Sequence, residues 1–191
     1  MKKIILFTFS LLLCTAAICQ NADKLYEEGK TLYDAKDYAK AFPKLKTAAE
    51  KGHKKAQYRL GRCYDKGNGV AENKAEAFKW YSKSAAQNYG KALYQVGKCY
   101  KDGEGVEKDH QKAFDYFTKA ARQDNAEAQY QLAKYYIKGK HGIKTDLAKA
   151  KSLLKTATTD EKDGKDILAK IHKEASEGDE DAKKMLELLG K

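Results

Sequence analysis

The sequence predicts an all-α protein built from repeated pairs of helices. Only one proline occurs in 191 residues, which is few for an all-β sandwich or barrel with many turns. The phrase LGRCYDKGNGV at residues 60–70 returns as VGKCYKDGEGV at residues 96–106, 36 residues later. Within each copy, apolar residues recur at the spacing of three and four that is typical of an amphipathic helix. Together these observations favour an array of helical repeats.

The 36-residue interval holds for several classes of residue at once. The matched positions are Ala56, Ala92 and Ala128; Gly61, Gly97 and Ala133; Tyr64, Tyr100 and Tyr136; and Ala49, Ala85 and Ala121. Chance does not keep several residue types in one register, so the chain contains three clear repeats with degenerate ones at each end.

Each repeat reads as helix, glycine loop, helix and short turn. In the first helix the apolar arc is formed by Ala56, Leu60, Cys63 and Tyr64, which share one side at 3.6 residues per turn. In the second helix the same spacing is followed by Ala77, Tyr81, Ser84 and Ala85.

The glycine pairs lie between the two helices of a repeat. Gly67 with Gly69, and Gly103 with Gly105, occupy matched places and are expected to supply a positive φ without steric strain. A phosphate-binding loop would instead follow a buried strand and open a helix. No strand pattern precedes either pair, so a structural loop is favoured over a nucleotide site.

These residues resemble the Sel-one-like repeat, a relative of the tetratricopeptide repeat with a longer interhelical loop. One copy of the family phrase is carried by Ala56, Leu60, Gly61, Tyr64, Gly67, Gly69, Val70, Ala77, Tyr81, Lys83 and Ala85. The next copy is carried by Ala92, Val96, Gly97, Tyr100, Gly103, Gly105, Val106, Asp109, Lys112, Ala113, Phe117, Lys119, Ala120 and Ala121. The resemblance implies a right-handed α-solenoid of about five antiparallel helix pairs.

The predicted domain organisation is a leader at residues 1–19 followed by one repeat domain at residues 20–191. Its repeats are expected at about residues 22–52, 53–88, 89–124, 125–160 and 161–191. The first repeat has a shorter loop, and Pro43 is expected to kink or delay its second helix. The last repeat is acidic and degenerate, which is typical of the polar cap that closes a repeat array.

The first 19 residues have the layout of a secretory signal peptide. Lys2 and Lys3 precede an apolar run, and small residues follow it at Ala16 and Ala17. Cleavage after Cys19 predicts an exported protein, periplasmic or extracellular, without stable insertion in a membrane. Lipid attachment to Cys19 is less favoured because Ile18 stands where such sites have a small residue, and an uncleaved anchor is a further alternative.

The chain is strongly basic. Its formal charge is +11, and loss of the leader removes two lysines and no acid, which leaves +9. Export argues against a nucleic-acid partner, so the expected acidic partners are proteins, anionic glycans or membrane phosphates. A solvated lysine-rich face with no partner is the alternative.

The sequence predicts no catalytic, metal or cofactor site. Cys63 and Cys99 hold the same position in neighbouring repeats and are expected to be buried and unbridged, since packed helices lie farther apart than a disulfide reaches. The four histidines do not pair with one another at a ligand spacing. No motif supplies an activated nucleophile.

The candidate binding residues form a ladder on the first helix of three repeats. The ladder consists of Tyr58, Tyr94 and Tyr130 with Arg62, Lys98 and Lys134 four residues on. Tyr58 lies about 200° around the helix from Ala56, away from the buried arc, and resemblance to tetratricopeptide stacks places that side in a concave groove. Two interpretations stay open, namely packing between helices and contact with a partner.

The predicted function is a non-catalytic scaffold or adaptor that holds a peptide or protein segment in the concave groove. The basic rim predicts that this segment is acidic. The alternatives are a binder of anionic cell-envelope glycan, which would use the same lysine and arginine surface, and a hydrolase, which rests only on activity reported for some relatives. The sequence does not determine the oligomeric state or the partner.

Overall fold

The computed structural model describes residues 20–160 and 163–191, and the predicted leader at residues 1–19 lies outside them. In this part of the chain every regular element is an α-helix. Helix α1 includes residues 20–34. The others are α2 (Tyr38–Glu50), α3 (Lys54–Lys66), α4 (Lys74–Ala86), α5 (Gly90–Asp102), α6 (His110–Ala121), α7 (Ala126–Lys138), α8 (Leu147–Thr159), α9 (Gly164–Ser176) and α10 (Glu180–Leu189).

The described residues divide into two compact units, an N-terminal unit that ends at Tyr89 and a C-terminal unit that begins at Gly90. In the N-terminal unit α3 packs against α2 and α4. In the C-terminal unit the pairs are α5 with α6, α7 with α8, and α9 with α10. The predicted all-α class of packed helix pairs is therefore confirmed.

Each unit encloses its own apolar core. In the N-terminal unit the core contains Tyr26, Tyr33, Ala41, Leu45, Ala48, Ala49, Ala56, Leu60, Cys63 and Trp80. In the C-terminal unit one core cluster contains Ala126, Tyr130, Ala133, Ala150, Leu154, Ala157, Ile167, Ile171, Ala182 and Met185. Many of these residues are alanines, whose small side chains let the helix pairs approach closely.

The interhelical loops have the predicted glycine conformation. Gly67 and Gly69 have φ of +69° and +75°, values that cost residues with a Cβ atom strain. Gly69 also lies so close to α2 that a Cβ atom there would overlap the carbonyl of Tyr38. The side chain of Asn73 then caps α4 by accepting a hydrogen bond from the backbone N–H of Glu76 at 3.0 Å.

Pro43 does not delay the second helix, contrary to the sequence-based expectation. Helix α2 begins at Tyr38, where the side chain of Asp37 caps it, and it continues past Pro43 to Glu50. Packing of Ala41, Leu45, Ala48 and Ala49 in the core holds this helix together despite the missing backbone donor.

The two described cysteines, Cys63 and Cys99, are buried and unbridged, as expected. Burial raises the pKa of Cys63 to about 12, so its thiol stays protonated and is a packing group. Across residues 20–160 and 163–191, no helix has the length and apolar character needed to traverse a lipid bilayer.

Candidate functional site

A cleft of about 420 Å³ opens on the C-terminal unit. Helices α5, α7 and α9 contribute most of its wall, and the start of α6 and the loop after α7 contribute the rest. The lining residues are Tyr94, Lys98, Lys101, His110, Tyr130, Gln131, Lys134, Tyr135, Lys138, Lys140, His141, Lys170 and Glu174. Six of these are lysines and one, among the described lining residues, is an acid, so the cleft is suited to anionic groups.

Four of the six residues predicted from the sequence line this one cleft. They are Tyr94 and Lys98 on α5, and Tyr130 and Lys134 on α7. One helical turn separates the tyrosine from the lysine in each pair, so both side chains project from the same side of the helix. The repeat therefore places the same aromatic and basic groups on two neighbouring helices.

Tyr130 is completely buried, and its polar end is held by α9. Its hydroxyl donates a hydrogen bond to Oε2 of Glu174, and Lys134 Nζ donates to the same oxygen at 2.8 Å. Lys170 Nζ lies 4.6 Å from the centre of the Tyr130 ring. In this repeat the predicted ladder residue serves packing and supports an internal carboxylate.

The ionisation of this cluster follows from its contacts. Burial, together with the hydrogen bond to Glu174, raises the pKa of Tyr130. Burial opposes ionisation of Glu174, but hydrogen bonds from Lys134 and Tyr130 outweigh it and lower the pKa of that carboxyl. Glu174 is thus a carboxylate held by one hydroxyl and one ammonium group.

Tyr94 has a more open position than Tyr130. Its side chain is partly exposed, and its ring centre lies 5.8 Å from that of Phe117. Four residues on, Lys98 Nζ lies 3.7 Å from a carboxylate oxygen of Glu104, with both side chains more than one-third exposed. Ion pairs as exposed as this one contribute little to stability.

Two other lysines of the cleft form ion pairs with acids that lie outside its lining. Lys101 pairs with Asp102 at 3.2 Å and Lys138 with Asp181 at 2.7 Å. These acids do not line the cleft, so they position the ammonium groups without filling the space between them. Lys140 is exposed, and within the described residues it has no ion-pair partner.

Two histidines stack at the end of the cleft nearest α6. The ring centres of His110 and His141 lie 3.7 Å apart with a 19° angle between planes, and His110 Nδ1 lies 3.2 Å from the Tyr135 hydroxyl. Burial and the neighbouring charge of His141 lower the pKa of His110. Within the described residues, no three histidine, cysteine or acidic side chains gather as metal ligands.

The remaining two predicted residues belong to the N-terminal unit. The Tyr58 ring packs against Tyr89 and Tyr81, with ring centres 5.5 and 5.9 Å away. The guanidinium of Arg62 lies over the Tyr33 ring at 5.9 Å. Both side chains are partly exposed and form part of an aromatic cluster in that unit.

Sequence reasoning did not identify several residues of the cleft. Lys170 could have been found, since it lies 36 residues after Lys134 and continues the lysine series. Glu174 and the two stacked histidines had no such signal. Glu174 lies in the degenerate last repeat, His110 is the first residue of α6, and His141 lies in the loop after α7.

The family model for the Sel1 repeat matches residues 54–89, 90–125 and 126–159. Among solved structures, the chain is similar to a Sel1 repeat protein from Oxalobacter formigenes, with 28% identity and a TM-score of 0.66 over 82% of this chain and 72% of that one. It is also similar to c5321, a protective antigen of uropathogenic Escherichia coli that displays an SLR fold. That likeness has 24% identity and a TM-score of 0.72 over 88% of this chain and 37% of the other. No curated protein matches the chain.

Proposed function

The chain belongs to the Sel1 repeat family, and we propose on that basis that it is an exported, non-catalytic scaffold whose lysine-rich cleft holds an acidic segment of a partner protein. Sel1 repeats are generally protein–protein interaction modules. The observation that carries the proposal is the cleft of the C-terminal unit, whose described lining residues include six lysines and two ladder tyrosines but one acid, Glu174.

The chemistry of the cleft favours binding over catalysis. Tyr130 has a raised pKa, so its hydroxyl donates hydrogen bonds and does not act as a base at neutral pH. Lysine ammonium groups supply three donors each and attract carboxylates from solution, which speeds association with acidic partners.

Export is proposed from the leader at residues 1–19, in which small residues at Ala16 and Ala17 follow an apolar run. If the protein is exported, the partner segment belongs to a protein of the cell envelope or its surroundings. Acidic polysaccharides occur there too and could use the same lysines, so the experiment includes one as a competitor.

The test is capture of a partner from envelope extract by the immobilised mature protein at about 50 and about 150 mM salt. The parent is compared with a double variant in the cleft, Lys98→Glu with Lys101→Glu, and with a matched double variant on the exposed side of α8, Lys151→Glu with Lys155→Glu. The proposal expects one protein that is retained at low salt by the parent and the α8 variant and lost from the cleft variant.

Two results would overturn the proposal. Equal capture by all three proteins would show that the cleft lysines do not take part. Complete displacement of the captured protein by polygalacturonate, together with direct cleft-dependent binding of that polymer, would show that the cleft recognises glycan and that the protein was carried along with it.

A further inference from the structure

Glu174 shows how the cleft holds a carboxylate. Its Oε2 atom accepts hydrogen bonds from the Tyr130 hydroxyl and from Lys134 Nζ, the latter at 2.8 Å. Lys170 adds a second ammonium group, 4.6 Å from the centre of the Tyr130 ring. Tyr130 and Lys134 on α7, together with Lys170 on α9, thus hold a glutamate side chain that comes from the protein itself.

The same tyrosine and lysine occur 36 residues earlier, as Tyr94 and Lys98, and they line the same cleft. At the position 36 residues before Glu174 the chain has Lys138, which also lines the cleft and, like Glu174, lies in the last turn of its helix. The acid that completes the cluster at Tyr130 is therefore replaced by a base beside Tyr94.

A second position shows the same reversal of charge. Lys170 forms an ion pair with Glu127 at 3.2 Å, and the residue 36 positions before Glu127 is Lys91. Around Tyr130 the lysines thus face the internal acids Glu174, Glu127 and Asp179, whereas the position that corresponds to Glu174 beside Tyr94 is a lysine. The excess of lysines in the lining of the cleft then favours an external anion beside Tyr94.

We propose that Tyr94, Lys98 and Lys138 form a carboxylate seat for a glutamate or aspartate side chain of the partner segment, held as Glu174 is held at Tyr130. The inference rests on the proposed function and specifies its recognition chemistry. In this seat the Tyr94 hydroxyl and the Lys98 ammonium group donate to the incoming carboxylate, and Lys138 faces it from α7.

The existing ion pairs do not block the seat. Lys98 and Glu104 are 3.7 Å apart and both partly exposed, so an incoming carboxylate can take the place of this weak contact. Lys138 keeps its contact with Asp181 at 2.7 Å, which holds its ammonium group in place. The contact between the Tyr94 and Phe117 rings, whose centres lie 5.8 Å apart, restricts the Tyr94 ring, which lowers the entropy lost on binding.

The experiment measures fluorescence anisotropy with two labelled octapeptides. One alternates glutamate with phenylalanine, and the other has glutamine in place of each glutamate. The glutamate peptide is expected to bind the parent, and the glutamine peptide to bind about tenfold more weakly or worse, because the seat donates to a charged acceptor.

Three variants separate the seat from general attraction by a basic protein. Lys98→Gln is expected to weaken the glutamate peptide about tenfold. Tyr94→Phe removes only a hydroxyl and leaves the charge unchanged, and it is expected to weaken that peptide about fivefold. Lys151→Gln on α8 removes the same charge as Lys98→Gln from outside the cleft and is expected to leave the affinity unchanged.

Three results would contradict a carboxylate seat at Tyr94. Equal binding of the two peptides, equal effects of Lys98→Gln and Lys151→Gln, or no binding of either peptide would each overturn it. The proposed function would survive those results if partner capture from envelope extract still depended on the cleft lysines, and it would fall with the inference only if capture did not.

Discussion

Gly97 and Phe117 are in direct contact within the first helix pair of the C-terminal unit. A Cβ atom on Gly97 would lie 2.8 Å from two carbon atoms of the Phe117 ring, closer than carbon atoms can approach without movement. In the N-terminal unit Gly61 and Tyr81 show the same relationship, at 2.6 and 2.7 Å. Each of these helix pairs therefore requires a glycine opposite an aromatic ring.

The first prediction is that Gly97→Ala destabilises the protein by about 1 to 3 kcal/mol, measured from the urea midpoint. The clash with Phe117 has to outweigh the stabilisation of about 1 kcal/mol that alanine gives a helix relative to glycine. Gly90→Ala is the matched control on the same helix, because the nearest atoms there belong to the Gln123 side chain and lie at 3.2 Å or more. It is expected to be neutral or slightly stabilising.

A second variant tests whether the cost is steric. The helix pair of the third clear repeat has Ala133 and Leu154, both fully buried. Alanine is larger than the glycine at position 97, and leucine is smaller than the phenylalanine at position 117. Gly97→Ala combined with Phe117→Leu imitates this pair and is expected to be more stable than the sum of the two single effects predicts. Simple additivity would show that the ring and the glycine do not compete for space.

The contrast between Gly97 and Tyr130 shows what the sequence could predict. The close approach at Gly97 follows from the repeat itself, because a recurring pattern places the same residues in the same packing environment. Burial of Tyr130 depends on Glu174 in α9, which begins at Gly164, 38 residues after the start of α7 at Ala126. The 36-residue spacing still leads from Lys134 to Lys170, but the position 36 residues before Glu174 holds a lysine, Lys138, so this contact could not be inferred from the preceding copy.

The second prediction concerns His53, which caps α3. Its Nδ1 accepts a hydrogen bond from the backbone N–H of Ala56 at 3.0 Å, and its Nε2 faces Asp23 at 3.3 Å. Burial, partly offset by the Asp23 carboxylate, lowers the pKa of His53. The unfolded chain therefore binds a proton more readily than the folded one, and stability is lost as the pH falls below about 6.5.

The variant His53→Asn keeps a capping oxygen that does not titrate in this range. Urea midpoints at about pH 7.5 and about pH 5.5 are expected to differ more for the parent than for His53→Asn. An identical pH dependence in the two proteins would contradict the assignment of His53 as the titrating cap.

The third prediction concerns the carboxylate that joins α7 to α9. Glu174→Gln keeps the size of the side chain but removes its charge, so it is expected to cost about 1 kcal/mol at neutral pH. The pKa of Glu174 is below its ordinary value of 4.5, so the contribution is complete above that pH and is lost as the pH falls through the lowered value. The urea midpoints of the two proteins should converge in acid.

Glu187→Gln on α10 is the control for this variant. Glu187 pairs with Lys184 on the same helix and is largely exposed, so its loss is expected to change the midpoint little at any pH. A difference between parent and Glu174→Gln that persisted in acid would mean that packing, and not charge, holds α9 in place.

The fourth prediction concerns the two thiols. Cys63 and Cys99 are buried and form no disulfide within the described residues, so both are expected to react with a thiol reagent in denaturant without prior reduction. In the folded protein the reaction should be slower by orders of magnitude, because the raised pKa of Cys63 disfavours the reactive thiolate and burial excludes the reagent. Rapid labelling of the folded protein, followed by mass spectrometry, would reveal an opening of the core that the packing does not predict.

The fifth prediction is that acidification strengthens binding of the glutamate and phenylalanine peptide. His110 and His141 stack at the end of the cleft. Besides burial, the nearby His141, Lys108 and Lys101 lower the pKa of His110, and Asp102 raises it. Burial and these cations lower the pKa of His110, so it is neutral at pH 7 and gains a proton only below about 6.5. A carboxylate ligand nearby favours the protonated ring, so affinity is expected to rise about threefold between pH 7.5 and pH 5.5. Peptide glutamates remain ionised over this range, since their pKa values lie near 4.3.

The variant His110→Gln should abolish the increase in affinity. The control His172→Gln, which changes an exposed residue on α9 outside the cleft, should preserve it. If His110→Gln retained the full increase, the added charge would have to come from another group, and His110 would be part of the wall without a role in recognition.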